Sequence, residues 1–131
     1  MDSRELLNDF KLALLQLDDA LKLPVENDVI KAGCIQYFEF SFELAWKTVK
    51  RFAEDEGMAE CNTPKSALKA AFACRWIDDE EVWLDMLMSR NRMSHTYSAS
   101  SALVVFDKLF AYLGALKQLE SRLAKHVISA N

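Results

Sequence analysis

Glycine and proline are scarce in this chain, and their scarcity limits the folds that it can adopt. Only three glycines and two prolines occur among 131 residues, whereas 51% of the residues are hydrophobic. Because glycine and proline supply most tight turns, a many-stranded β fold would lack turn residues, and a few long elements are favoured. The length corresponds to one domain, residues 1–131.

Apolar residues recur at helical spacing along most of the chain. The pattern predicts long helices at about 3–22, 27–56, 79–92 and 101–126, and a short helix at about 63–75. We expect an all-α fold, an antiparallel helical bundle of four long helices plus one short helix. The predicted helix starts are Ser3, Asn27, Thr63 and Asp78, each able to cap a helix.

The two longest predicted helices carry the main core stripes. In the second helix the stripe consists of Cys34, Phe38, Phe42, Ala45, Val49 and Phe52. In the last helix it consists of Leu103, Phe106, Phe110, Leu113, Leu116 and Leu123.

Charge and cysteine usage restrict the class of protein. The net charge of −4 argues against broad, non-specific nucleic-acid binding, although a local basic site stays compatible with it. The three cysteines form no metal-binding or disulfide pattern, so we expect neither a metal nor a cofactor. No signal-peptide pattern and no apolar run of membrane-spanning length occur, and a cytoplasmic location without membrane contact is expected.

A polar cluster at 89–97 follows the apolar run 82–88 and holds Arg90, Asn91, His95 and Tyr97. Histidine can transfer a proton near neutral pH, and the arginine fork binds phosphate oxygens. The pair suits metal-independent RNA cleavage, in which His95 activates the ribose 2′-hydroxyl and Arg90 holds the phosphate. Asn91 can orient either group, and Arg92 is a candidate for a second phosphate contact.

Residue types alone leave a plainer interpretation open. Arginine, asparagine and histidine at a helix C-terminus often only cap its carbonyls and complement the helix dipole. Glu39 and Glu43 on the second helix fit a solvated face, or one of them pairs with Arg90 or Arg92.

Ideal helical geometry also suggests a dimer. At 100° per residue, Arg90 and His95 lie about 140° apart and cannot share one face of a helix. They flank a strip formed by Trp83, Leu87 and Ser94. If this strip packs against itself in a two-fold homodimer, two Arg90 and two His95 side chains converge across the axis.

The motif R-N-x-x-x-H-x-Y at 90–97 resembles the signature of the HEPN superfamily. Four further segments strengthen the likeness: FELAWK at 42–47, TPK at 63–65, WLDML at 83–87 and SHTY at 94–97. Together they resemble the nucleotidyltransferase substrate-binding proteins, whose toxin members belong to HEPN/MNT toxin–antitoxin systems. The matches extend over about residues 5–125.

The resemblance implies a helical bundle that dimerises through the motif helix. It implies a metal-independent endoribonuclease toxin with Arg90 and His95 paired across the dimer. It also implies a minimal nucleotidyltransferase (MNT) antitoxin that transfers AMP to Tyr97, placing negative charge beside Arg90. The alternative is a non-catalytic subunit that binds substrate for, or regulates, a nucleotidyltransferase.

Overall fold

A computed structural model describes residues 1–58, 61–93 and 99–130, without the side chains of residues 99, 101 and 130. Within those ranges the fold is all-α, as predicted. The helices are α1 (Ser3–Leu21), α2 (Asp28–Asp55), α3 (Pro64–Ala73), α4 (Glu80–Met93), α5 (Ala99–Leu103) and α6 (Leu109–Ala130). A 3-10 segment, Val104–Lys108, joins α5 to α6.

The central helix is α2, which packs against each of the other helices. All six residues of its predicted core stripe are buried, which confirms that prediction. The other helices add large, almost fully buried side chains, among them Phe10, Leu17, Trp83, Met86, Tyr112 and Leu116. Burying each such side chain contributes roughly 1.5–3 kcal/mol, so the core holds α1, α2, α4 and α6 together.

Side chains at the helix starts explain where the helices begin. The Asn27 and Thr63 side chains cap α2 and α3 as predicted, and Thr63 forms a capping box with Ser66. Two predicted caps were wrong by one residue. Asp2 rather than Ser3 accepts a hydrogen bond from the first turn of α1, and Asp79 accepts one from Val82 at the start of α4.

Asp78 has a different role from the predicted cap. Its carboxylate binds Arg122 on α6 with an N···O distance of 2.9 Å. This ion pair ties the entrance of α4 to α6, and because both side chains are partly in water it contributes little to stability.

The last predicted helix is interrupted, and this changes which residues face the core. The 3-10 segment has fewer residues per turn than an α-helix and therefore shifts the register of the chain that follows. As a result Phe110 is 61% exposed, contrary to the prediction, whereas Leu113, Leu116 and Leu123 are buried as expected.

No helix in the described ranges has both the length and the apolar character needed to cross a membrane.

Candidate functional site

The predicted site residues lie at and after the C-terminal end of α4. Arg90, Asn91 and Arg92 belong to the last turn of the helix, and the side chain of Arg90 is 31% exposed. The two basic residues complement the negative end of the helix dipole, as the plainer interpretation expects. Ser94, His95 and Tyr97 fall outside the described residues.

Arg90 binds Glu43 on α2. Its Nε donates to Glu43 Oε1 at 2.9 Å, and its Nη2 lies 2.9 Å from the same oxygen. The sequence left open whether Glu39 or Glu43 pairs with Arg90 or Arg92, and the structure identifies Glu43 and Arg90. Such a charge-assisted pair across two helices fixes the direction of the guanidinium.

Two more hydrogen bonds extend this pair into a row of four hydrogen-bonded side chains. Trp46 Nε1 donates to the second carboxylate oxygen, Glu43 Oε2, at 3.0 Å. Arg90 Nη1 donates to Asn91 Oδ1 at 3.2 Å. Trp46, Glu43, Arg90 and Asn91 are called the arginine chain below. The glutamate and tryptophan of the FELAWK segment thus orient the arginine of the R-N-x-x-x-H-x-Y motif.

A pocket of about 410 Å³ opens beside the arginine chain. Its described lining consists of Glu39, Phe40, Glu43, Arg90 and Met93. Burial raises the pKa of Glu39, and the neighbouring Glu43 carboxylate raises it further, whereas Arg90 acts in the opposite direction. The pocket therefore combines one strong cation, two carboxyls and an aromatic ring in a partly desolvated space.

The predicted dimer strip needs a correction at Trp83. The Trp83 side chain is only 1% exposed and packs in the core of its own chain. Leu87 is partly buried against the same core. The apolar side chains that α4 presents to solvent are Leu84 and Met88 instead. The ideal-helix argument failed because angles alone do not reveal which sector of α4 faces α2 and α6.

A partly buried hydrogen-bond network joins α4 to α6 just before Arg90. The Tyr112 hydroxyl of α6 donates to Asp85 Oδ2 and lies 2.8 Å from the Ser89 hydroxyl, which can donate to it. Asp85 and Ser89 are one turn apart and thus share a face of α4. Lys108 Nζ also lies 3.3 Å from Asp85 Oδ2. We call Asp85, Ser89 and Tyr112 the tyrosine clamp.

The protonation states in the tyrosine clamp are fixed by the contacts themselves. The hydrogen bond from Tyr112, helped by Lys108, lowers the pKa of Asp85 despite some burial. Burial, together with the Asp85 carboxylate, raises the pKa of Tyr112. The hydroxyl therefore stays protonated and the carboxylate ionised at neutral pH, as the hydrogen bond requires. The sequence analysis missed this clamp, although WLDML contains Asp85 and helical spacing places Tyr112 on the core face of α6.

Replacing Tyr112 with phenylalanine should lower the free energy of unfolding by about 1–3 kcal/mol, because the buried Ser89 hydroxyl loses its partner. Urea unfolding monitored by circular dichroism measures the change. The matched control is Tyr37→Phe, since within the described residues Tyr37 takes part in a hydrogen bond only through its backbone carbonyl, and it should cost less than about 0.5 kcal/mol. Equal effects of the two substitutions would contradict the clamp.

No group of three or more histidine, cysteine, aspartate or glutamate side chains is arranged to hold a metal ion in the part of the chain that the structure describes.

Comparisons with known proteins agree with the motif. The family model "Nucleotidyltransferase substrate binding protein like" matches residues 5–125. The chain belongs to this family. The expected HEPN relationship is thereby confirmed, and every residue of the arginine chain and the tyrosine clamp lies within the matched range.

Two individual relatives are informative. The chain is 31% identical over 96 residues to a Haemophilus influenzae protein named "Probable ribonuclease HepT". That match covers 68% of this chain and 64% of the H. influenzae protein, which is just under two thirds of its length. The chain is also similar to a crystal structure of a Thermus thermophilus protein, with a TM-score of 0.77 and 28% identity. This likeness covers 87% of this chain and 98% of the other, so it supports the all-α fold over nearly its full length.

Proposed function

We propose that this protein is a HEPN-type toxin, a metal-independent endoribonuclease that acts in the cytoplasm. The observation that carries the proposal is the arginine chain, which holds Arg90 at the edge of a pocket five residues before His95. An arginine held in this way can bind a phosphate without first losing the conformational entropy of its side chain. The name of the H. influenzae relative, a ribonuclease, supports the same chemistry.

The reaction assigns a separate role to each group. His95 takes the proton of a ribose 2′-hydroxyl, and the resulting 2′-oxygen attacks the adjacent phosphorus. Arg90 binds the non-bridging oxygens, on which negative charge develops, and Asn91 and Arg92 assist at the phosphate. The bond to the 5′-oxygen breaks, that oxygen takes up a proton from water, and His95 then releases its proton to the solvent. The products are a 2′,3′-cyclic phosphate end and a 5′-hydroxyl end.

The complete site is proposed to form across a two-fold homodimer, with Arg90 from one chain and His95 from the other. The resemblance to the HEPN toxins, which implies this pairing across the dimer, supports the arrangement. Because Trp83 is buried, the contact between the copies must use other parts of α4 and the segment that follows it. Ser94 stays a candidate for this contact, and so does the partly buried Leu87, which would lie at the edge of the contact.

The proposed partner is a minimal nucleotidyltransferase antitoxin encoded elsewhere, and the family's description supports this choice. Transfer of AMP to Tyr97 would place a phosphate two residues from His95. That phosphate would compete with RNA for Arg90 and inhibit cleavage.

A second function is supported by the family description itself, which names substrate binding rather than cleavage. On this alternative the protein is a non-catalytic subunit that presents substrate to a nucleotidyltransferase or regulates it. The pocket at Arg90 would then bind a nucleotide phosphate.

Purified wild-type protein should cleave RNA in the presence of EDTA and leave 2′,3′-cyclic phosphate ends, whereas His95→Ala protein should not. Mass spectrometry must first show that Tyr97 is unmodified. If folded, unmodified wild-type protein cleaves no RNA, the nuclease proposal fails and the binding subunit is favoured.

A mixture of two inactive variants tests the shared site. Refolding equal amounts of Arg90→Ala and His95→Ala chains together should restore about a quarter of the wild-type activity, since half of the dimers then carry one intact site of two. A site contained within one chain predicts no recovery, and that result would contradict the composite site.

A further inference from the structure

Phe40 is an exposed aromatic residue beside Arg90. The other phenylalanines of α2, which are Phe38, Phe42 and Phe52, are buried, whereas Phe40 is 49% exposed. Its ring contacts Tyr37 edge-on, with centroids 6.3 Å apart, and lines the same pocket as Arg90. Leaving this apolar surface in water is unfavourable unless something covers it in the working state of the protein.

Glu39 is a half-buried carboxyl that makes no hydrogen bond to any residue the structure describes. It lies one turn before Glu43 on α2, and Glu39, Phe40 and Glu43 all line the same pocket. The Glu39 oxygens are not among the buried side-chain atoms without a partner and so remain open to water, which a ligand that brings an N–H group can replace.

We propose that Phe40 and Glu39 form a nucleobase subsite next to Arg90. An unpaired base of single-stranded RNA stacks on the Phe40 ring, and its exocyclic amino group donates to the Glu39 carboxylate. The phosphate attached to that nucleotide lies against Arg90, a contact that rests on the proposed function. The subsite therefore favours adenine, cytosine or guanine over uracil, which has no exocyclic amino group and whose ring N–H lies between two carbonyl oxygens that a carboxylate repels.

The size and chemistry of the pocket fit such an occupant. A volume of about 410 Å³ lies within the range of small-ligand pockets, about 300–1,000 Å³. Stacking of a base on an aromatic side chain, with an arginine beside it, is a common element of single-stranded nucleic-acid binding. This combination explains how a chain of net charge −4 can bind RNA locally.

A second copy of the chain fits the same surface less well. In a two-fold contact centred on Phe40, the Glu39 and Glu43 carboxyls of one chain would face those of the other. Only one described arginine, Arg90, lines the pocket on each side, so like charges would be brought together. The electropositive amino edge of a base complements the carboxyls instead.

Substitution of Phe40 separates stacking from simple apolar packing. Phe40→Leu keeps most of the apolar volume but removes the aromatic face, and it should raise KM for single-stranded RNA about 5- to 100-fold with little change in kcat. Phe40→Trp should keep or lower KM. Phe110→Leu is the matched control, because Phe110 is also exposed but lies on α6, and its KM should equal that of wild type.

Two results would overturn the stacking proposal. One is a Phe40→Leu protein with wild-type KM. The other is a combination of two findings: the Phe40→Leu protein has the solution mass of a monomer, and the Phe40→Trp protein no longer binds RNA. Together these findings would assign the Phe40 surface to a contact with a second copy of the chain.

Base preference tests Glu39. The test uses two oligonucleotides that differ only in one unpaired base, which is either an amino-bearing base or uracil. Wild-type protein should cleave the first about 10-fold faster than the second, since one base contact discriminates at this level. Glu39→Ala should remove the difference. Equal rates with uracil in wild type would contradict the role of Glu39.

Binding measurements keep this proposal separate from the nuclease proposal. Fluorescence anisotropy with short labelled RNA and His95→Ala protein reports affinity without cleavage. If wild type never cleaves RNA but affinity still falls with Phe40→Leu, the subsite stands and the nuclease fails. If wild type cleaves RNA and neither affinity nor KM responds to Phe40, the subsite fails alone.

Discussion

Replacing Arg90 with alanine should lower the rate of RNA cleavage by about 10²–10³-fold, the usual loss when a group that stabilises transition-state charge is removed. The effect should appear mainly in kcat, because the guanidinium meets the most negative charge as the phosphate becomes five-coordinate. Initial rates measured with EDTA on a labelled oligonucleotide give the ratio. The Arg90→Lys protein should recover only part of the activity, since an ammonium cannot make the forked contact.

Two control substitutions sharpen this prediction. Arg51→Ala removes an arginine of similar exposure that pairs with Glu54 and Asp55 at the other end of α2, and it should leave the rate unchanged. Glu43→Ala keeps the guanidinium but releases it from the arginine chain, so its effect should be intermediate, about 10-fold to 100-fold. If Arg90→Ala and Arg51→Ala have equal rates, Arg90 has no part in the reaction.

Most of the fold followed from local rules. Asn27 and Thr63 start α2 and α3 as predicted, because a side-chain oxygen at that position satisfies an N–H group of the first turn. The α2 stripe was identified correctly because its apolar residues occupy one continuous face. The break before α6 was missed because no glycine or proline marks it, and tertiary contacts decide between α and 3-10 geometry over such a short segment.

The site was predictable in part. Residue chemistry singled out Arg90, and helix faces made Glu39 and Glu43 its possible partners. Only the structure shows that Glu43 rather than Glu39 pairs with Arg90, because the pairing depends on the position along α2 at which α4 crosses it. The tyrosine clamp joins residues that are 23 and 27 positions apart in sequence, a separation about which helical periodicity carries no information.

Because Trp83 is buried, we expect its replacement to destabilise the fold of each chain, whereas the predicted dimer strip would have its replacement only separate the two copies. Trp83→Ala should lower the free energy of unfolding by about 3–5 kcal/mol, because it removes a large side chain from a close-packed core and leaves a cavity. Leu84→Ala is the matched control on the same helix, and since Leu84 is 41% exposed it should cost less than about 1 kcal/mol.

Measuring unfolding at two protein concentrations distinguishes a core residue from an interface residue. A core tryptophan predicts the same loss of stability at both concentrations, whereas an interface tryptophan predicts a loss that grows on dilution and a folded monomer as the product. A folded Trp83→Ala monomer with the wild-type free energy of unfolding would restore the original strip. Trp83 packs two turns before Arg90 on α4, so the core contact of the WLDML segment also holds the helix that presents the arginine.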